Sequence, residues 1–210
     1  THLISYTVDS VTATANVGIT ASPFLINNFS MQFDAASSQY VNVGTTLGNQ
    51  LGNSYTGDIT VSMWFNADTV TSDDGLFTIK TGSSFGNITF LIAGSTVRMY
   101  YNNDGTFISS SVSINQWYHL VGVLKAGDAS NTKLYLNGSA VATATTTPSS
   151  SLNFSGMEAW IGNYFAGNNA FDGKIDEVAL WNTALSADAV TEIYNATANN
   201  TGKVLDLNTD

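Results

Sequence analysis

Along most of its length the chain repeats one local pattern, a run of five to nine residues rich in Val, Ile, Thr, Tyr and Phe closed by Gly, Asn or Asp. Runs this short, ended by turn residues, pack as half-buried pleats, and so commit the chain to antiparallel sheets. Residues 58–66 alternate cleanly, with Ile59, Val61, Met63 and Phe65 on one side and Thr60, Ser62, Trp64 and Asn66 on the other. Residues 88–93 and 97–102 read as a hairpin through Gly94-Ser95, and 133–136 and 139–145 flank Asn137-Gly138, the strongest short hairpin signal. Trp117–Leu124 is apolar on both faces, as an inner strand covered above and below should be. Residues 159–163 and 174–181 follow as further strands. One helix is expected, over 186–196, with Ser186 as its cap, Asp188 in its first turn and a buried stripe of Val190, Ile193 and Tyr194.

Many short strands within 210 residues predict an all-β fold, a two-sheet antiparallel jelly-roll sandwich with one short C-terminal helix. Residues 1–28 alternate more loosely and are expected to be an added strand or linker. The domain proper spans 29–197, and the polar stretch 198–210 reads as a tail or the start of a linker. Residues 143–151, a Thr/Ser run containing Pro148, form a loop. The opening Thr-His-Leu-Ile-Ser has no Met and no signal-peptide pattern, so the chain is expected to be processed or cut from something longer.

Charge narrows the partners. The net charge is -10, from 16 acidic and 6 basic residues, and the cations Lys80, Arg98, Lys125, Lys133, Lys174 and Lys203 are scattered singly. A nucleic-acid partner or an anionic membrane surface would need them clustered. No stretch approaches the roughly 20 apolar residues of a membrane span. With no Cys, a disulfide framework, a thiolate zinc site and a cysteine nucleophile are all excluded.

Four segments, in order, carry a resemblance. They are Met31-Gln-Phe-Asp-Ala-Ala-Ser-Ser-Gln-Tyr-Val-Asn-Val43, Asp58-Ile-Thr-Val-Ser-Met-Trp-Phe-Asn66, Asn115-Gln-Trp-Tyr-His-Leu-Val-Gly-Val123 with Lys133-Leu-Tyr-Leu-Asn-Gly138, and Phe171-Asp-Gly-Lys-Ile-Asp-Glu-Val-Ala-Leu-Trp181. Together they resemble the laminin-G-like jelly roll of the concanavalin A-like lectin/glucanase group over about residues 29–196. Fold does not fix function here, because the same sandwich hosts lectins, adhesion modules, hydrolases and spacers.

The resemblance implies that a hydrolase would carry several acidic residues on one strand face, acting as acid and nucleophile. The chain has three Glu, at 158, 177 and 192. Asp176 and Glu177 are adjacent, so on a regular strand they would face opposite sides. His119 reads as a structural histidine, and no catalysis is expected. The resemblance also implies a calcium ion, with Asp34 and Asp176 as ligands if the terminal strands pair, since calcium takes oxygen donors from loops and strand ends. Asp73-Asp74-Gly75 reads instead as a turn.

A sugar offers an apolar face rimmed by hydroxyls, and so calls for aromatics beside amides or carboxylates. Two loops supply them. One contains Asn163, Tyr164 and Asn168, and the other Tyr101, Asn103 and Asp104. Trp64, Trp160 and Trp181 read as packing residues. The expectation is a non-catalytic binding or adhesion module, placed extracellularly, on a cell surface or on a virion, that takes a glycan or protein partner and is stabilised by calcium. The competing expectation is a structural decoration or spacer domain of a viral capsid, tail fibre or large bacterial surface protein, part of a larger chain or assembly and with no small ligand.

Overall fold

The computed structural model describes residues 30–70, 73–80, 86–102, 105–164 and 169–196 in full, and residues 2–8, 11–17 and 197–198 as backbone. Strands β1 (His2–Val8) and β2 (Val11–Val17) pair antiparallel, from His2 opposite Val17 to Val8 opposite Val11, as a two-stranded sheet of their own.

The other strands form two antiparallel sheets of six. The first runs in the order β12 (Ser139–Thr143), β11 (Lys133–Leu136), β10 (Trp117–Leu124), β5 (Ile59–Ala67), β14 (Gly173–Trp181), β3 (Met31–Phe33). The second runs β4 (Val41–Gly44), β13 (Glu158–Ile161), β6 (Asp74–Lys80), β7 (Ile88–Ala93), β8 (Thr96–Tyr101), β9 (Thr106–Ser111). Two helices accompany them, α1 (Thr46–Leu51) and α2 (Ala187–Ala198). This is the expected sandwich.

The period-two pattern does the sorting. Ile59, Val61, Met63 and Phe65 of β5 are fully buried and share one core with Ile79, Ile88, Phe90, Ile92, Val97 and Met99 of the other sheet. Full burial of one such side chain is worth about 1.5–3 kcal/mol. The opposite face of the first sheet is covered as well. There Val121, Val123, Tyr135 and Val190 make a smaller cluster under α2, which explains why β10 is apolar on both sides. Thr60 ties the approach to that helix: its Oγ1 donates to the Thr183 carbonyl at 2.7 Å and accepts from the Leu185 amide at 3.0 Å.

The Asn137-Gly138 turn has both residues at positive φ, 50° and 78°, as a two-residue hairpin requires. It also anchors α2, since a β-carbon at position 138 would stand 2.9 Å from the Tyr194 ring.

Two local readings are corrected, and two strands went unread. Residues 46–51 form a second helix, too short and too rich in Gly and Asn to read as one, held by Leu47 and Leu51 against the core. Asp73 alone takes the turn conformation, with φ 60°, while Asp74 and Gly75 belong to β6 and Asp74 is buried. The edge strands β3 and β4 are short, and their pattern is hidden by exposure of most of their residues.

Candidate functional site

The outer face of the second sheet carries an aromatic and cationic row fixed by strand register. Asn42 pairs with Trp160, Trp160 with Thr78, Thr78 with Thr89, Thr89 with Tyr100 and Tyr100 with Phe107. Directly paired residues point the same way, so this row crosses all six strands. Two threonines joined through their hydroxyls at 2.5 Å form its middle, with aromatics on either side. At about 4.8 Å per strand, Trp160 and Tyr100 stand roughly 14 Å apart.

Trp160 is the centre of one end. Its indole Nε1 donates to Glu158 Oε2 at 2.8 Å, and the ring lies 4.9 Å from Tyr40, which is 41% exposed. The Lys80 ammonium sits over both Trp160 and Tyr164, 4.7 and 5.4 Å from the ring centroids. Burial pushes the Lys80 pKa down, and the facing Glu158 carboxylate pulls it back up. At the other end the Arg98 guanidinium lies 4.8 Å over Phe107 and its Nη1 donates to the Tyr100 hydroxyl at 3.2 Å.

Tyr164 reaches this face because its loop is stitched to β6. Gly162 donates to Leu76 O at 3.0 Å, Phe171 to Gly162 O at 2.9 Å and Gly75 to Asn169 O at 3.0 Å. Gly75 permits the close approach: a β-carbon there would fall 2.2 Å from the Tyr164 nitrogen. Burial raises the pKa of the Tyr164 phenol, reinforced by Asp73 and Tyr100.

The expected binding residues divide. Tyr164 lies on the aromatic face. Asn163 is fully buried and bridges to Ala170, which takes it away from solvent. Tyr101 is the inward member of its pair, with its hydroxyl on the Thr146 carbonyl, and Tyr100 lies on the outer face instead, where it too is buried. Asn103, Asp104 and Asn168 lie outside the described residues. Trp160, read as packing, faces outward between the core residues Ala159 and Ile161. A signal for this was present, because Glu158 and Trp160 alternate with Ala159 and Ile161 and a carboxylate marks the solvent side. Tyr40, Lys80, Arg98 and Phe107 come from four separate segments, and only the pairing register brings them together.

The two residues expected to hold calcium do not meet. The terminal strands pair as expected, with Phe33 opposite Gly173, Gln32 opposite Lys174 and Met31 opposite Ile175. That register leaves Asp176 four positions from Asp34, roughly 13 Å along the strand. Asp34 instead spends both carboxylate oxygens on a short turn, accepting from Ala36 N at 2.9 Å and Ser37 Oγ at 2.6 Å, and these bonds lower its pKa. Among the described residues no three His, Cys, Asp or Glu side chains cluster as a metal site. Asp34 and Asp176 therefore do not fit calcium as a pair.

Asp176 and Glu177 do not separate as a regular strand would separate them. Glu177 takes φ 55° where the pairing with β5 slips between Asp176 and Ala179, so a bulge replaces the alternation. Both residues are half-buried, and one oxygen of each carboxyl, Asp176 Oδ2 and Glu177 Oε1, is buried without a hydrogen-bond partner among the described residues. Burial raises the Asp176 pKa to about 6, and burial together with the Asp176 charge raises that of Glu177 to about 8. His119 is a core histidine, 1% exposed, but it has a partner the sequence concealed: Nε2 lies 2.9 Å from Ser62 Oγ. Ser62 is itself 2% exposed, and burial holds the imidazole neutral with its pKa down to about 4.

A laminin G family model, described as the concanavalin A-like lectin/glucanases superfamily, matches residues 34–191. No curated protein matches the chain in sequence. Among solved structures, a heptameric SAP-like pentraxin from Limulus polyphemus is similar at TM-score 0.55 and 17% identity, covering 71% of this chain and 74% of that one. Domain 4 of an extracellular arabinanase from Geobacillus stearothermophilus, in complex with arabinotriose, is similar at TM-score 0.55 and 16% identity, covering 91% and 81%. The NanB sialidase of Streptococcus pneumoniae is similar at TM-score 0.59 and 24% identity over 77% of this chain, which spans only 27% of that enzyme. At these identities the likeness is one of fold.

Proposed function

Because the chain belongs to the concanavalin A-like lectin/glucanases superfamily, matched over residues 34–191, we propose that it is a non-catalytic glycan-binding module whose binding face is the outer side of the second sheet. The observation that carries this reading is the Trp160 cluster. Tyr40, Trp160 and Tyr164 gather around the buried Lys80 ammonium beside Glu158, with Tyr40 41% exposed at the rim, and this cluster offers aromatic surface and a carboxylate to one sugar ring. An arabinanase domain of the same fold is in complex with arabinotriose, and another similar structure concerns ganglioside interaction of botulinum neurotoxin type C. Both support the choice of ligand class.

The absence of catalysis is part of the proposal. The Ser62–His119 contact is sealed in the sheet with a neutral imidazole. The proposal does not depend on calcium, whose expected ligands Asp34 and Asp176 stand apart in the strand register. No helix among the described residues is long and apolar enough to cross a membrane, and we place the module on an extracellular or cell surface, where glycans are presented.

The test is a glycan array followed by calorimetric titration of the best ligand against Trp160→Ala. Stacking on an aromatic face buries enough apolar surface that its loss should weaken binding at least about tenfold, with the thermal midpoint little changed. Unaltered affinity in a folded Trp160→Ala protein overturns the site. Silence across the array overturns the ligand class.

A further inference from the structure

A groove of about 350 Å³ opens on the far side of the molecule, lined by Lys125, Lys133, Tyr135, Leu185, Ser186 and Ala187 among others. It lies between β10 and β11 of the first sheet and the start of α2. Two of the chain's six cations therefore meet in one depression, on a protein with net charge -10.

Its donors are available. Lys133 makes no ion pair among the described residues, whereas Lys125 is fixed by Asp58 Oδ2 at 2.9 Å. Tyr135 lines the groove at 4% exposure, and its hydroxyl makes no hydrogen bond among the described residues. Burial raises the phenol pKa, keeping its proton. At the helix start Ser186 Oγ accepts from Ala189 N at 3.1 Å, and Ala187, the first residue of α2 and a lining residue of the groove, has an amide with no intrahelical partner. The carboxylates at this end are otherwise engaged: Asp58 with Lys125 and Ala126, Asp128 with Ser130 and Asn131. Asp188, in the first turn of α2, is the remaining negative charge there.

We propose that this groove is a second binding site, for a saccharide unit carrying a carboxylate. One unpaired ammonium, one unpaired phenol and one helix-terminal amide match a single carboxylate with an adjacent hydroxyl. The volume lies at the small end of the ~300–1,000 Å³ typical for organic ligands, more than a bare inorganic anion fills. Leu185, partly buried, supplies the apolar contact for a sugar ring.

The experiment is an amide chemical-shift titration of the whole chain with sodium glucuronate, with glucose and sodium acetate as controls. Glucuronate should move the amides of 185–187, glucose should not, and acetate should bind about tenfold more weakly. Lys133→Gln should lower glucuronate affinity about fivefold. Tyr135→Phe, which keeps the packing, should also weaken binding, and Asp188→Asn should strengthen it. Trp160→Ala should leave this titration unchanged, which separates the groove from the aromatic face. Still amides at 185–187, a Lys133→Gln protein that binds as tightly as the parent, or acetate equal to glucuronate would each overturn the proposal.

Discussion

His119 stands between Ser62 and the rings of Trp64 and Tyr194, with centroid distances of 5.2 Å to Trp64 and 5.9 Å to Tyr194. Burial depresses its pKa from 6.5 to about 4. The unfolded chain therefore binds a proton below about pH 6.5 that the folded chain refuses until about pH 4, so stability falls as pH drops through that window. The loss attributable to this one residue is ~3 kcal/mol. Urea unfolding at pH 7 and pH 4 should show it, and His119→Gln, which keeps a partner for Ser62, should flatten that part of the pH dependence. Parallel pH curves for the two proteins would refute the assignment. The sequence marked His119 as structural from its place in an apolar strand. It could not show Ser62, because the contact joins residues 57 apart in the chain. Tyr100 and Tyr101 show the same limit in another form. That one of the pair must point inward was legible, but which one was decided by the pairing of β8 with β7 and β9.

At the scale of elements, what could be read was what local rules control. Alternation gave β5 its two faces, Asn137-Gly138 gave a hairpin, and Ser186 gave the start of α2. The cap leads to a direct expectation: Ser186→Ala should cost about 1 kcal/mol, read as a lower midpoint in thermal unfolding. Because α2 seals the outer face of the first sheet, that mutant should also expose Trp64 and red-shift its fluorescence on partial melting. What could not be read was what neighbours impose. The bulge at Glu177 arises where β14 must match β5 over its whole length, and no residue in Ile175-Asp-Glu-Val178 signals an αL conformation. Helix α1 owes its existence to Leu47 and Leu51 meeting the core, since six residues cannot hold a helix alone.

For the whole molecule, the boundary between sandwich and N-terminal segment can be tested directly. Neither six-stranded sheet includes a residue before Met31, and β1 pairs only with β2. A chain lacking residues 1–28 should fold, with a midpoint within about 5 °C of the full chain, and should keep its glycan affinity. Failure of the shortened chain to fold cooperatively would show that the segment belongs to the domain. The same truncation tests the expected domain limits of 29–197, which came from a change in strand quality and from the extent of the resemblance.

The strand order has a further consequence, for how this protein can be made. The middle of the first sheet is β5, and one of its two neighbours is β14, with Trp64 opposite Asp176. During synthesis β5 leaves the ribosome with that flank open, and it stays open until more than a hundred further residues have been added. Over that interval its Ile, Val, Met and Phe have no completed core to enter, and its free edge invites pairing with other nascent chains. Such long-range closure is intrinsically slow. Premature termination anywhere before Gly173 would leave a product with an unfinished sheet, fit for degradation or aggregation rather than partial function.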